Sequence, residues 1–278
     1  MKKKNLLLVD FNNLLYRSVF AHQGLSHKGK FTGGVYGFID MVCSTVNRYK
    51  CDRLAVCFDS KPYIRSKFYP DYKADRKQVL EEDSVKQLAI SRKQINELLA
   101  RFKIPLAKAP GHEADDLIGE FCRSSNSYKS IFIMSNDSDL YQLLDGRIFL
   151  AKTGGLYGLN DFNKDWPKIT PQLWPRCVAL KGSHNGVPGI HGVGDKTAYR
   201  MVAQGVTDKE VWVRWRMRRK DIEVNTALAT FPLPLALQPH LPHVVPINYN
   251  AKKMEEECER YGIRFRDEFH DAFMRLAT

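Results

Sequence analysis

Four short apolar runs, at residues 5–10, 53–59, 130–134 and 147–150, most constrain what this chain folds into. They are rich in Leu, Ile, Val and Phe, the pattern of strands buried on both faces. Helix-length stretches at 32–49, 79–102 and 113–123 lie between them. The alternation predicts an α/β fold, a mostly parallel central sheet flanked by helices. Sheets of that kind bind ligands beyond the carboxyl ends of their strands.

Carboxylates stand at those ends. Asp10 closes LLLVD, Asp59 follows LAVCF, and Asp137 and Asp139 follow IFIM. Glu113, Asp115 and Asp116 open the helical stretch in GHEADDLIG, where Glu113 and Asp116, three apart, share a helix face. Any one of them alone reads as a cap or turn residue. Seven acids at one sheet edge repel strongly unless cations neutralise them. All-oxygen ligands point to Mg²⁺ or Mn²⁺ rather than zinc.

Against this acidic cluster the chain as a whole is basic. Its 278 residues carry 43 Lys and Arg against 31 Asp and Glu, a net charge of +12. Such a field favours a polyanion, most simply nucleic acid. The combination predicts a metal-dependent enzyme acting on phosphodiesters. The apolar run after the opening lysines covers only residues 6–9, so it reads as a strand and not a secretion signal. With no long apolar span, the expectation is a cytoplasmic protein with no membrane partner. The six cysteines form no C-x-x-C pair and read as reduced thiols.

Two basic elements complement the acids. KPYIRSKFYPDYKADR, residues 61–76, holds Arg65, Lys67, Lys73 and Arg76 among aromatic residues. It reads either as a solvated face or as a strip that steadies phosphate, with Tyr69 and Tyr72 available to stack on bases. VPGIHGVGDKTA, residues 187–198, has glycines at Gly189, Gly192 and Gly194 before Lys196 and Thr197. Glycines there permit a tight turn and a close approach of backbone to phosphate. The spacing is not that of a Walker loop. The stretch 170–204 reads as helices around this turn, 231–246 is proline-rich and extended, and residues from 252 onward read as helical.

In this order the motifs resemble those of the 5′-nuclease superfamily of flap endonucleases and 5′→3′ exonucleases, especially the stand-alone enzymes of bacteriophages. The likeness runs over roughly residues 5–230, through LVDFNNLLYR, FD at 58–59, YPDYKADR, EADDLIG, SNDSDLYQLL, VPGIHGVGDKTA and NTALATFPLP. It implies a catalytic core at 1–168 that includes a helical arch at about 61–105. It also implies a helical DNA-binding region at 169–278, with a helix–three-turn–helix motif at about 187–204. The resemblance assigns Asp10, Asp59, Glu113, Asp115, Asp116, Asp137 and Asp139 to a divalent-metal site. Lys73 and Arg76 match the basic pair of the arch, and with Asp10 and Asp115 they are the expected catalytic residues. Arg65, Lys67, Tyr72, Gly189, Gly192, Gly194, Lys196 and Thr197 are expected to contact nucleic acid, and relatives can hold K⁺ at the helix–three-turn–helix motif.

One departure matters. The family pattern G-D-x-x-D-N is replaced by LKGSHNGVPG, with Ser183 at the first aspartate and His184 or Asn185 near the second. A neutral side chain binds Mg²⁺ less strongly than a carboxylate, so the second metal is expected to be weak or dependent on substrate. The implied activity is structure-selective hydrolysis of DNA at a 5′ end or flap, with RNA–DNA hybrids as further partners and the chain acting as a monomer. The rival expectation is a branched-DNA binder that kept the fold without catalysis. A PIN-type RNA nuclease is a remoter one.

Overall fold

The computed structural model describes residues 3–73, 80–183, 187–234, 236 and 238–278. Arg76, expected in the catalytic pair, and His184 and Asn185 lie outside the described residues. In chain order the first half runs β1 (Asn5–Asp10), α1 (Phe11–Ala21), β2 (Ser26–His27), β3 (Lys30–Phe31), α2 (Gly33–Tyr49), β4 (Arg53–Cys57), α3 (Arg65–Phe68), α4 (Glu82–Arg101) and β5 (Leu106–Ala107). It continues with α5 (Ala114–Ser124), β6 (Ser130–Met134), a 3₁₀ turn (Ser138–Leu143), β7 (Ile148–Lys152), β8 (Gly155–Tyr157) and α6 (Leu159–Asp165). Helices α7 (Trp174–Lys181), α8 (Asp195–Ala203), α9 (Asp208–Trp215), α10 (Arg219–Ala229), α11 (Ala251–Tyr261) and α12 (Asp267–Ala277) complete it.

The main sheet has the order β5-β4-β1-β6-β7-β8 among the described residues. Every pairing is parallel except β7 with β8. The expected mostly parallel sheet is present, and its central strands show why the sequence makes it. Leu6 and Leu8 of β1, Ala55 and Cys57 of β4, and Ile131 and Ile133 of β6 enter one apolar cluster. The alternate residues Leu7, Val9, Leu54, Val56, Phe132 and Met134 enter a second cluster. Side chains alternate across a strand, so both faces are apolar and the run is continuous. Burial of each such aliphatic side chain contributes about 1.5–3 kcal/mol.

Among the described residues the C-terminal helices share their main cores with the sheet. Trp174, Ile222 and Phe231 join the first cluster, while Met254, Phe269 and Phe273 join the second. The boundary expected near residue 168 therefore runs through shared cores. All six cysteines are buried and free. Among the described residues no helix is long and apolar enough to cross a membrane.

Candidate metal centre and nucleic-acid interface

Strand register gathers the acids. Asp10 lies opposite Cys57 of β4, two residues before Asp59. Val9 lies opposite Met134 of β6, three residues before Asp137. The strands on the two sides of β1 thus deliver Asp59 and Asp137 to flanks of Asp10, at the edge where a parallel sheet binds its ligand.

Each acid is held by local structure. Asp10 caps α1, its Oδ1 accepting from the Asn13 amide at 3.1 Å and its Oδ2 from Ser135 Oγ at 3.2 Å. Asp59 accepts from the Ala114 amide at 2.8 Å and from Asn12 Nδ2 at 2.7 Å, which ties the end of β4 to the start of α5. Asp137 caps the 3₁₀ turn by accepting from the Asp139 amide at 2.8 Å. Glu113 is the N-cap of α5, with Asp115 and Asp116 in the first turn, where the helix dipole favours negative charge.

Burial and mutual repulsion load this edge. Burial first, then Asp59 and Asp137, raise the Asp10 carboxyl to about 7 against the pull of its hydrogen bonds. Burial and Asp137 likewise raise Asp139 to about 7, while Lys181 and Lys73 oppose the rise. Asp115 is pushed well above the ordinary carboxylate range by burial, then by Asp10, Asp137 and Glu113. Buried acids that repel one another need a cation to stay ionised at neutral pH. Among the described residues no three His, Cys, Asp or Glu side chains close around one point. In its chemistry, carboxylate oxygens alone, the donor set fits a hard cation such as Mg²⁺, which usually keeps several waters.

Three expected residues take other roles. Arg65 is 1% exposed and not a surface contact for nucleic acid. It donates to Asp116 Oδ2 at 2.5 Å and Oδ1 at 2.7 Å, and to the Leu228 and Thr230 carbonyls at 3.0 and 3.2 Å. Burial lowers its pKa, but Asp116 and Glu113, with Tyr72, together outweigh it and the net shift is upward. Asp116 also accepts from the Glu113 and Leu233 amides at 3.0 and 2.9 Å, so four donors occupy its two oxygens. It anchors the start of α5 to α3 and to the segment after α10. Tyr72, 5% exposed, donates to Glu113 Oε2 at 2.7 Å, so its ring is not offered to a base.

Glu113 also pairs with Arg65 Nη1 at 3.1 Å and with Lys73 Nζ. Lys73, with φ of 57°, stands over the rings of Tyr63 and Tyr72 at 5.0 and 5.4 Å. Lys67 is exposed. In the turn before α8, Gly189 packs so closely that an added Cβ would meet the Lys181 carbonyl carbon at 2.1 Å, and Gly192 has φ of 78°. Asn225 of α10 holds this turn by donating to the Pro188 carbonyl at 2.6 Å. Gly189, Gly192, Gly194 and Lys196 are exposed and Thr197 is half-buried, so the turn and the start of α8 face solvent. Ser183 donates its amide to the Val187 carbonyl at 3.0 Å and lines a pocket with Asp139, Lys181 and Gly189.

Three further cations near the acids were missed by sequence reasoning. The Arg17 Nη1 is buried with no hydrogen-bond partner among the described residues, within electrostatic reach of Asp10. Arg92 of α4 donates to Asn12 Oδ1 at 2.8 Å and feels Asp59. Lys181 pairs with Asp195 at 2.6 Å and faces Asp139. Arg17 lies in LLYR, the one local signal that could have flagged any of the three.

Comparison with known proteins agrees with this geometry. Residues 5–167 match the model of the 5′-3′ exonuclease, N-terminal resolvase-like domain. A 5′-3′ exonuclease of Aquifex aeolicus is 32% identical over 244 residues, covering 81% of each chain. DNA polymerase I of Chloroflexus aurantiacus is 32% identical over 212 residues, 72% of this chain and 22% of that protein. The chain thus spans about a fifth of the length of such polymerase relatives. In fold it is similar to a bacteriophage T5 flap endonuclease solved as a pseudo-enzyme–product complex with DNA and metal ions. The TM-score is 0.66 at 19% identity, with 99% of each chain covered. The acid-rimmed parallel sheet and the family match lead to one assignment: the chain belongs to the 5′-3′ exonuclease family.

Proposed function

We propose that the chain is a metal-dependent, structure-selective 5′ nuclease, hydrolysing phosphodiester bonds of DNA at 5′ ends or flap junctions, with 5′→3′ exonuclease activity. The observation that carries this reading is the convergence of Asp10, Asp115, Asp137 and Asp139, three of them with raised pKa, beside Lys73. Asp10, Asp59, Asp115, Asp137 and Asp139 would hold Mg²⁺ or Mn²⁺. A divalent ion supplies the charge that activates water and neutralises the leaving oxygen.

The chain's own groups do the positioning. Lys73 rests on Glu113. A scissile phosphate entering beside it gives the ammonium a second anionic partner, where it stabilises developing charge. Glu113, held by Arg65, Tyr72 and Lys73, would keep that ammonium in place beside the acids. Arg17, whose Nη1 has no partner among the described residues, is a candidate to fix a phosphate beside Asp10. The turn before α8 and Lys196 hold duplex backbone by amide and ammonium contacts. A K⁺ ion on the backbone carbonyls of that turn would tighten the same contact. Ser183 leaves the second cation with fewer charged ligands, so it binds weakly until substrate phosphate joins it. RNA–DNA hybrids are accepted as well as DNA, the chain acts as a monomer, and its setting is the cytoplasm of a phage-infected bacterium.

A labelled 5′-flap substrate titrated with Mg²⁺ or Mn²⁺ tests this. Cleavage near the junction that stops on chelation is expected. Tight flap binding with no cleavage at any ion concentration would establish a binder instead.

A further inference from the structure

Beyond the turn before α8, the twelve residues 209–220 hold six cations, Lys209, Arg214, Arg216, Arg218, Arg219 and Lys220, and one acid, Glu210. Helix α9 buries only Val211, and Trp212 is 43% exposed. Trp212 lines an open cleft of about 470 Å³ with Asp208, Lys209, Arg218 and Arg219. Arg216 ends α9 in the left-handed region at φ 60° and sets its guanidinium 5.9 Å from the Trp212 ring centre.

The nearby acids do not neutralise this surface. Asp208 is already held by Arg176 of α7 at 2.7 Å. Arg218 and Arg219 pair with Asp221 and Glu223 at 2.9 and 2.8 Å, but both arginines are at least 70% exposed. Ion pairs in water are worth little and exchange readily for phosphate. A half-exposed indole beside exposed cations is the combination that binds unpaired nucleotides. The ring takes a base face and the cations take the flanking phosphates. A duplex hides its base faces, so the ring adds affinity only for a strand that is not paired. Four residues, 204–207, separate α8 from α9, so the cleft follows the helix that the proposed duplex-binding turn opens.

We infer that Trp212 and the cations around it form a binding site for single-stranded nucleic acid, distinct from the acid cluster. The inference rests on the nucleic-acid reading above and not on hydrolysis. The test uses the full chain in chelator, where cleavage plays no part. Binding of a labelled blunt duplex is compared with that of the same duplex bearing a single-stranded DNA tail. The tailed duplex should bind more tightly. Trp212→Ala should weaken tailed binding about tenfold and leave blunt binding unchanged, while Trp212→Phe should keep most of the tail advantage. If Trp212→Ala melts early, the exposed pair Lys209→Ala/Arg219→Ala should show the same selective loss. An equal loss on both substrates, or no loss on either, overturns the inference. A chain that never cleaves but shows the tail advantage retains this site and loses the nuclease reading.

Discussion

Arg65 grips both carboxylate oxygens of Asp116, at 2.5 and 2.7 Å, with both side chains 1% exposed. The same guanidinium reaches Glu113 at 3.1 Å and the carbonyls of Leu228 and Thr230. One buried cation therefore joins α3, the acidic start of α5 and the end of α10. It offsets the charge of two of the seven expected acids.

Arg65→Ala should destabilise the fold, because it leaves two carboxylates buried without their main partner. Breaking such a pair costs roughly 3–5 kcal/mol, read as a lower urea midpoint. An unchanged midpoint with weakened DNA binding would return Arg65 to the role of a surface contact.

Tyr72→Phe removes the hydroxyl that donates to Glu113 and keeps the ring. Stability should fall by about 1 kcal/mol with DNA affinity unchanged. Tyr72→Ala that weakens binding to single strands without lowering the melting temperature would show that the ring stacks on bases after all.

Without divalent ions the folded chain should lose stability as pH rises. Asp10 and Asp139 move from the ordinary 3.8 to about 7, so the fold prefers their protonated forms. Their contribution is complete below about 3.8 and is lost as pH climbs through about 7. Mg²⁺ or Mn²⁺ should therefore raise the melting temperature more at pH 8 than at pH 5. An equal rise at both would mean that the ion binds elsewhere.

The sheet and its rim of acids were legible because strands buried on both faces read as unbroken apolar runs. An acid that ends such a run has one place to go. The hydrogen bonds of Asp116 depend on Arg65, 51 residues earlier, and on the Leu233 amide, 117 residues later. Local spacing carries no trace of either. Arg65 and Tyr72 lie in a strip that looks solvated, and only packing against α5 and α10 buries them. The two-residue strands β2, β3 and β5 are too short for any periodicity to register. The cleft at Trp212 joins Lys209 of α9 to Arg218 and Arg219 across a turn, and local spacing does not show that closure.

Lys73→Ala should slow single-turnover cleavage at saturating substrate at least tenfold, about 1.4 kcal/mol of barrier. Weaker binding at an unchanged rate would make Lys73 a positioning cation only.

Lys196→Ala should weaken binding across sequences and lower the salt slope by about one charge. A loss that depends on base sequence would contradict a backbone contact.

The central claim, that the acids at the sheet edge hold the divalent ions that cleave nucleic acid, is tested most directly with Asp115→Asn. Single-turnover cleavage of a 5′ flap and flap binding in chelator are measured on one preparation. Asp115 is pressed by burial, then by the charges of Asp10, Asp137 and Glu113. Cleavage should be lost at every Mg²⁺ concentration, while binding is kept or tightened because one repulsive charge is gone. Native cleavage rates in Asp115→Asn would contradict the assignment of this site.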